Sequence, residues 1–381
     1  MTMASKARRR LVAQLEDAGR RGMCYVPADR MDVRLAERCV REGILVRPLK
    51  GMFATREEWE SLDPASRHLR KMRALQAMHP SWSFGRQSAA LAWGLAVSYR
   101  ELDEVCVTLG GAGGTREGVG AGTRPRQSGI CTTRAKRLPV HKDGLLVVPV
   151  FATLFDCASH WSFAEALVTA DSALRLSLVT KDALLDYAAS RAAEKGAARA
   201  YVAFLYADGR AESGGESLAR ATMLELGFAE PDLQTRVADP LESGRFFRLD
   251  FSWQTEGGLI GGELDGRQKY ENPAMLGGGD IIDALTRERR RESRLSAMGV
   301  RVIRFSYAEI CDRRLFTRLL ETFGVSRVGA PAELKSARAA RRLLNEHSLQ
   351  LPNDTSPIPL RGRMRIGGFF VNYVACRAEY R

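Results

Sequence analysis

The chain has 381 residues, 45% hydrophobic and 27% charged; it is too long for one core and too apolar for a disordered polymer, so two or three folded domains are expected. Its 58 Lys and Arg exceed its 45 Asp and Glu, a formal charge of +13 that favours a polyanionic partner, nucleic acid first and an acidic membrane surface second. No apolar run reaches the ~18 residues of a membrane span, and the basic start MTMASKARRR leads into LVAQLEDAG rather than a signal-peptide core, so a cytoplasmic protein with no membrane partner is expected.

Residues 5–55 read as three short helices followed by a β-hairpin. In SKARRRLVAQLEDAG, Leu11, Leu15 and Ala18 recur at helical spacing and Gly19 closes the segment. In VRLAERCVREGIL, Leu35, Cys39 and Val40 form an inward face, while Arg34, Glu37, Arg38 and Arg41 point outward. ILVRPLKGMFAT follows as two short alternating runs around Pro48–Gly51, the pattern of the wing in a winged helix-turn-helix. In such a unit the second helix enters the major groove, so Arg34, Arg38 and Arg41 face duplex DNA, with Arg47 and Lys50 on the wing. The alternative is a small helical unit whose arginines are ordinary surface.

Residues 56–200 alternate helical and strand patterns: HLRKMRALQAMHP and SAALAWGLAV as helices, DEVCVTL as a strand, a strand pair around RLPVHKDGLLVVPV, then helices at VFATLFDCASHW and FAEALVTADSAL. The glycine-rich stretch at 110–122 has no GxxxxGK[ST] and opens no helix, so it reads as a loop whose Arg116, Arg124 and Arg126 are candidates to touch DNA. His79 and His160 read as core or capping residues, since neither has a second ligand at metal-binding spacing. The seven cysteines form no CxxC pair and read as reduced thiols, mostly in cores.

In residues 201–325 the segment FFRLDFSW alternates strictly, which puts Phe247, Leu249, Phe251 and Trp253 on one face. QTEGG is a turn, LIGGELDG the returning strand, and RVIRFSYAEI a third strand after a long basic helix. Residues 326–381 hold an Arg/Ala helix, the polar linker LPNDTSPIP and a basic end readable as a hairpin or a docking strand.

Strand residues two apart share a face, so Glu263 and Asp265 point the same way and a hairpin partner brings Asp250 beside them. Clustered carboxylates repel unless a cation relieves them. A divalent ion with oxygen ligands, Mg²⁺ or Mn²⁺, held by Asp250, Glu263 and Asp265, is the reading that links the cluster to phosphodiester chemistry. The alternative is a half-exposed sheet whose acids pair with nearby arginines. On the basic helix, Ile281, Leu285, Glu288, Glu292 and Leu295 form one stripe; its two acids either face the carboxylate site or pair with Arg289, Arg291 and Arg294. RERRRESR reads as a solvated face or a phosphate-contacting surface.

The order Glu216, RLD at 248–250, GELDG at 262–266, a basic helix and MGVRVIRFSYAEI resembles the endonuclease-like domain related to very-short-patch-repair enzymes, within the PD-(D/E)xK nuclease superfamily. The resemblance spans about residues 210–312. It implies a mixed sheet flanked by helices, Asp250 and Glu263 as metal ligands, and Glu216 as an extra carboxylate. Asp265 stands where the superfamily pattern has Lys, leaving Lys269 or Arg267 in the following loop to steady the developing charge. Ser213 and Glu216 also spell a capping box, a role compatible with the catalytic one.

LAERCVREGILVRPLKGMFAT with MRALQAMHPSWSFGRQSAALAWGL resembles the N-terminal part of AbiEi-type antitoxins, over about residues 5–200. That resemblance implies operator binding and neutralisation of a nucleotidyltransferase toxin. The expected architecture is therefore multidomain α/β: a winged helix-turn-helix at 1–55, an AbiEi-like α/β region at 56–200, a restriction-endonuclease-like domain at 201–325 and a basic tail at 326–381. The expected activity is Mg²⁺-dependent cleavage of DNA, with Asp250, Glu263, Asp265, Lys269 and Glu216 as its residues. The rival expectation is a transcriptional regulator or antitoxin of a type IV toxin-antitoxin system with an inactive nuclease-like domain. RNA is a third candidate substrate.

Overall fold

In the computed structural model, residues 3–109, 129–134, 138–265, 281–351, 363–366 and 369–372 are described. The chain is a mixed α/β protein of helices and several small sheets, as expected at that coarse level. No described helix is long and apolar enough to cross a membrane. The chain divides into two compact units, one of Met1–Ala92, Asp103–Thr153 and Leu349–Arg381, the other of Trp93–Leu102 and Leu154–Ser348. Residues 56–200 are thus shared between the units.

In the first unit, α1 (Met3–Arg20) and α2 (Arg30–Arg41) precede a short hairpin of β1 (Leu45–Val46) and β2 (Ala54–Thr55). Two helices stand where three were expected. The segment between them turns and bridges Tyr25 to Phe53, and helix resumes only where the Asp29 side chain accepts the Asp32 N–H. Gly51, at φ 78°, makes the hairpin turn in a conformation that side-chain-bearing residues resist. Leu11, Leu15, Cys39, Leu45 and Phe53 share one core, with Leu35 and Val40 packed against it. The inward face read from the sequence is therefore the buried one.

The unit continues through α3 (Arg56–Ser61), α4 (Pro64–Met78) and α5 (Arg86–Ala92). Asp63 caps α4 by accepting from the Ala65 and Ser66 N–H groups; at the other end His79 N donates to Leu75 O, and its ring stacks on Trp82 at 3.9 Å. β3 (Val105–Leu109) pairs in parallel with β4 (Ile130–Arg134), a strand not expected from the sequence. β5 (Val140–Lys142) and β6 (Leu145–Val147) form the expected antiparallel pair. The stretch 110–122 with Arg116, Arg124 and Arg126 lies outside the described residues.

The division between units falls within α6 (Val150–His160), whose exposed His160 bonds through Nδ1 to Asp156 O at 2.8 Å. In the second unit, α7 (Phe163–Arg175), α8 (Lys181–Ala189), α9 (Ala197–Leu205) and α10 (Gly214–Leu226) lead into the sheet. Arg220 of α10, 1% exposed, bonds through Nη2 to both Asp171 oxygens at 3.0 Å, so the buried acid is matched by a buried base.

The sheet holds β7 (Asp232–Ala238), β8 (Phe246–Thr255), β9 (Gly258–Asp265) and β10 (Arg301–Ser306) in the order β10-β9-β8-β7. The first three are antiparallel neighbours; β10 lies parallel to β9, with α11 (Ile281–Ala297) in the connection. α12 (Tyr307–Cys311), α13 (Arg313–Thr322), α14 (Ala332–Lys335) and α15 (Ala337–Gln350) follow. β11 (Arg363–Ile366) and β12 (Phe369–Asn372) pair antiparallel in the basic tail; the linker at 352–362 lies outside the described residues.

One expectation about this sheet is overturned. Phe247 and Leu249 pack with Leu295 and Val300, whereas Phe251 and Trp253 pack with Met223, Phe228 and Phe316. A Cβ on Gly261 would meet Leu249, and one on Gly262 would meet Phe251 and Trp253; adjacent strand residues face opposite ways, so Leu249 and Phe251 do too. The alternation inverts at Asp250. Across from it, Gln234 sits at φ 56°, at the one gap in the β7–β8 register between Leu233↔Phe251 and Thr235↔Leu249. The sheet consequently buries apolar residues on both faces.

Candidate functional site

Asp250 and Glu263 lie one step beyond the last registered β8–β9 pair, Phe251↔Gly262, so the hairpin brings them side by side. Asp250 Oδ2 accepts the Leu264 N–H at 3.0 Å. Glu263 shares the face of Gly261, the α11 face, and is 8% exposed. Parallel pairing sets Arg304 of β10 opposite Glu263.

On that face two arginines meet four carboxylates. Arg291 of α11 donates through Nη1 to Glu263 Oε2 at 2.8 Å and through Nη2 to Glu263 Oε1, a two-point grip on one carboxylate. It also donates to Arg248 O at 2.8 Å and to Glu288 Oε1 at 3.0 Å. Arg304 lies 3.2 Å from Glu263 Oε2, 3.3 Å from Asp265 Oδ1 and 2.8 Å from Glu292 Oε1, and bonds to Glu288. The hydrogen bond to Glu263 leads in holding the Arg291 guanidinium above its ordinary range, burial opposing it. Burial pushes the Glu288 carboxyl upward, but Arg304 and Arg291 outweigh it and hold Glu288 below the usual carboxylate range.

The stripe of α11 thus both faces the acidic strands and pairs with arginines. Of the predicted partners, Arg291 takes part, while Arg294 binds Asp239 and Glu242 instead. The side chains of Ile281 and Leu285 lie outside the described residues. Sequence reasoning missed Arg304, although RVIRFS carried the signal: Arg304 alternates with the buried Ile303 and Phe305.

Glu216, 7% exposed, forms half of the expected capping box at the start of α10: Ser213 caps its N–H, but its carboxylate reaches the N–H of Glu212 rather than that of Ser213. Its carboxylate accepts from Glu212 N at 2.8 Å, Ser213 Oγ at 2.8 Å and Gln234 Nε2 at 3.0 Å, and its own N–H donates to Ser213 Oγ at 3.1 Å. Lys269 and Arg267 lie outside the described residues. As arranged, this donor set does not fit a divalent ion. Both oxygens of Glu263 are engaged by guanidinium, Asp265 faces Arg304, Glu216 serves the backbone and Gln234, and among the described residues no group of three or more acidic, His or Cys side chains is arranged to hold a metal ion.

The first unit presents the opposite case. Arg34, Arg38 and Arg41 are exposed along one side of α2, and none has an ion-pair partner among the described residues. Arg47, beyond β1, is exposed and 3.9 Å from Glu37; Lys50 is exposed at the hairpin turn. Beneath them the buried Asp32 binds Arg10 of α1 and lies in the first turn of α2, where a carboxylate also complements the helix dipole.

No protein-family model matches the chain, and no solved structure matches it significantly. It is 28% identical over 139 residues to two Mycobacterium tuberculosis proteins, "Uncharacterized protein MT2308" of strain CDC 1551 / Oshkosh and "Uncharacterized protein Rv2248" of strain ATCC 25618 / H37Rv; each match covers 36% of this chain. The chain spans 46% of the length of these relatives, so the similarity concerns a part of each protein.

Proposed function

We propose that the chain is a DNA-binding protein of the regulator or antitoxin class, which grips duplex DNA with α2 and the β1–β2 hairpin and carries a nuclease-like sheet that does not turn over. The observation that carries this reading is the two-point grip of Arg291 on Glu263, joined by Arg304: the acid that would serve a nuclease is already neutralised by cations of the chain itself. The arginines on α2, without ion-pair partners among the described residues, support the other half, since guanidinium groups free of internal partners are the ones that displace counterions from phosphates. The strand–strand–helix–strand order from β8 to β10 supports the kinship with the very-short-patch-repair-like nuclease fold, and two helices followed by a hairpin support the winged helix. The AbiEi-like resemblance adds a nucleotidyltransferase toxin as the protein partner.

Fluorescence anisotropy on labelled duplex at increasing salt tests the DNA interface. Replacing Arg34, Arg38 and Arg41 together by Ala is expected to lower affinity by about tenfold or more and to flatten the plot of log K against log salt by about 0.9 for each phosphate that is no longer neutralised. Unchanged affinity and slope would remove α2 from the interface.

A second reading, metal-dependent hydrolysis, is favoured by one observation. Glu263, Asp265, Glu288 and Glu292 outnumber the two guanidinium groups that serve them, and the hairpin sets Asp250 beside them. Metal-dependent nicking of plasmid that is lost in D250A would establish it.

A further inference from the structure

The first unit contains a pair of thiols that the proposed DNA interface does not use. Parallel pairing sets Cys106 of β3 directly opposite Cys131 of β4, so both side chains leave the same face of adjoining strands, at a backbone separation within the range that disulfides span. Cys106 is fully buried and Cys131 is partly exposed. Gln87 donates through Nε2 to Cys131 Sγ at 3.6 Å and to Glu104 O at 2.9 Å. The Oε1 of the same amide is buried without a hydrogen-bond partner, an unsatisfied acceptor in the side chain that touches Cys131.

We propose that Cys131 and Cys106 form a peroxide-reactive pair in which Cys131 is oxidised first and Cys106 resolves it as a disulfide across β3 and β4. The Cys131 thiolate attacks one oxygen of hydrogen peroxide; an S–O bond forms, the O–O bond breaks, and the departing hydroxide takes a proton to leave as water. Cys106 then loses its proton, its sulfur attacks Cys131 Sγ, the S–O bond breaks and a second water leaves. Two thiols and one peroxide thus give one disulfide and two waters. The chemistry of Cys131 suits the first step: the hydrogen bond from Cys106 leads in bringing its thiol down to about 7, against burial. Burial pushes Cys24 up to about 12, so the two differ strongly in thiolate content near neutrality.

The test treats the full chain with one equivalent of hydrogen peroxide, blocks remaining thiols with iodoacetamide and maps the peptides by mass spectrometry. The expected product is a Cys106–Cys131 disulfide, and at pH 7.4 untreated protein is expected to alkylate at Cys131 at least about tenfold faster than at Cys24. In C106S, peroxide with dimedone is expected to yield the adduct on Cys131. Oxidation of the exposed Cys311 while Cys106 and Cys131 stay reduced would overturn the proposal, as would slower alkylation of Cys131 than of Cys24. Because the wild-type map and the alkylation rates need no substitution, a C106S protein that fails to fold does not affect the outcome.

Discussion

Charged residues are used in opposite ways at α2 and at the β8–β10 face. On α2 the acid of the first turn, Asp32, is buried and paired while the arginines and Glu37 stand in solvent; on the sheet face the arginines turn inward and the acids are partly enclosed. Exposed charge costs little to hold and stays available to a partner. Enclosed charge must be satisfied by its own neighbours before the chain can fold, and a carboxylate already bonded at both oxygens has little left for a ligand. The difference explains why clustered acids alone are a weak sign of a metal site: the cation that relieves them can be a guanidinium on the next helix.

The strongest way to break this contrast is R291A. Removing one partner of a buried pair costs about 3–5 kcal/mol; with Arg291 21% and Glu263 11% exposed at the side chain, a loss of about 2–3 kcal/mol is expected in urea unfolding. R291M/E263L is expected to recover most of it, because an apolar pair of similar volume needs no compensating charge. Calorimetry on R291A with Mg²⁺ sharpens the point: a binding isotherm absent from the wild type is expected if the guanidinium is what keeps a cation out.

On α2 the same kind of change is expected to do little to stability. R34A, R38A and R41A should each shift unfolding by less than about 0.5 kcal/mol, since none carries an ion pair among the described residues. A larger loss in any of them would mean that the residue holds the fold together.

The smallest effect concerns pH. Glu288 is held below the usual carboxylate range in the folded chain, so the unfolded state binds its proton first as pH falls. Its stabilisation is complete above the unfolded value near 4.5 and is lost as pH drops through the folded value. E288Q should therefore lose less stability between about pH 6 and pH 3 than the wild type, by under about 1 kcal/mol. An identical acid limb would remove Glu288 from the network.

Much of the β8–β10 region was legible because its signals are local. The alternation of FFRLDFSW, the turn residues, the Ser213–Glu216 box and the helical stripe each lie within a few residues. β7 was not seen, since its buried positions, Leu233 and Val237, are four apart with Gln234 and Thr235 between them. The face inversion at Asp250 was invisible because it depends on the backbone of Gln234 in another strand. Strict alternation in one strand assumes a regular neighbour, and here the neighbour is not regular. Arg291 was read as a partner of acids on its own helix; its reach to Glu263 depends on the crossover, which no local pattern encodes. On α2 the exposed arginines followed directly from helical spacing, whereas no third helix forms before the hairpin: the chain between α1 and α2 turns and bridges Tyr25 to Phe53. The sharing of residues 56–200 between two units rests on packing between segments distant in sequence, so no shift in composition marks it.

The most direct measurement incubates wild type and D250A/E263A with supercoiled plasmid in Mg²⁺ or Mn²⁺, reading binding by mobility shift and cutting by plasmid topology in the same samples. The account predicts salt-sensitive binding by both proteins and plasmid that stays supercoiled with both. Nicking by the wild type that needs the metal and disappears in the variant would contradict it.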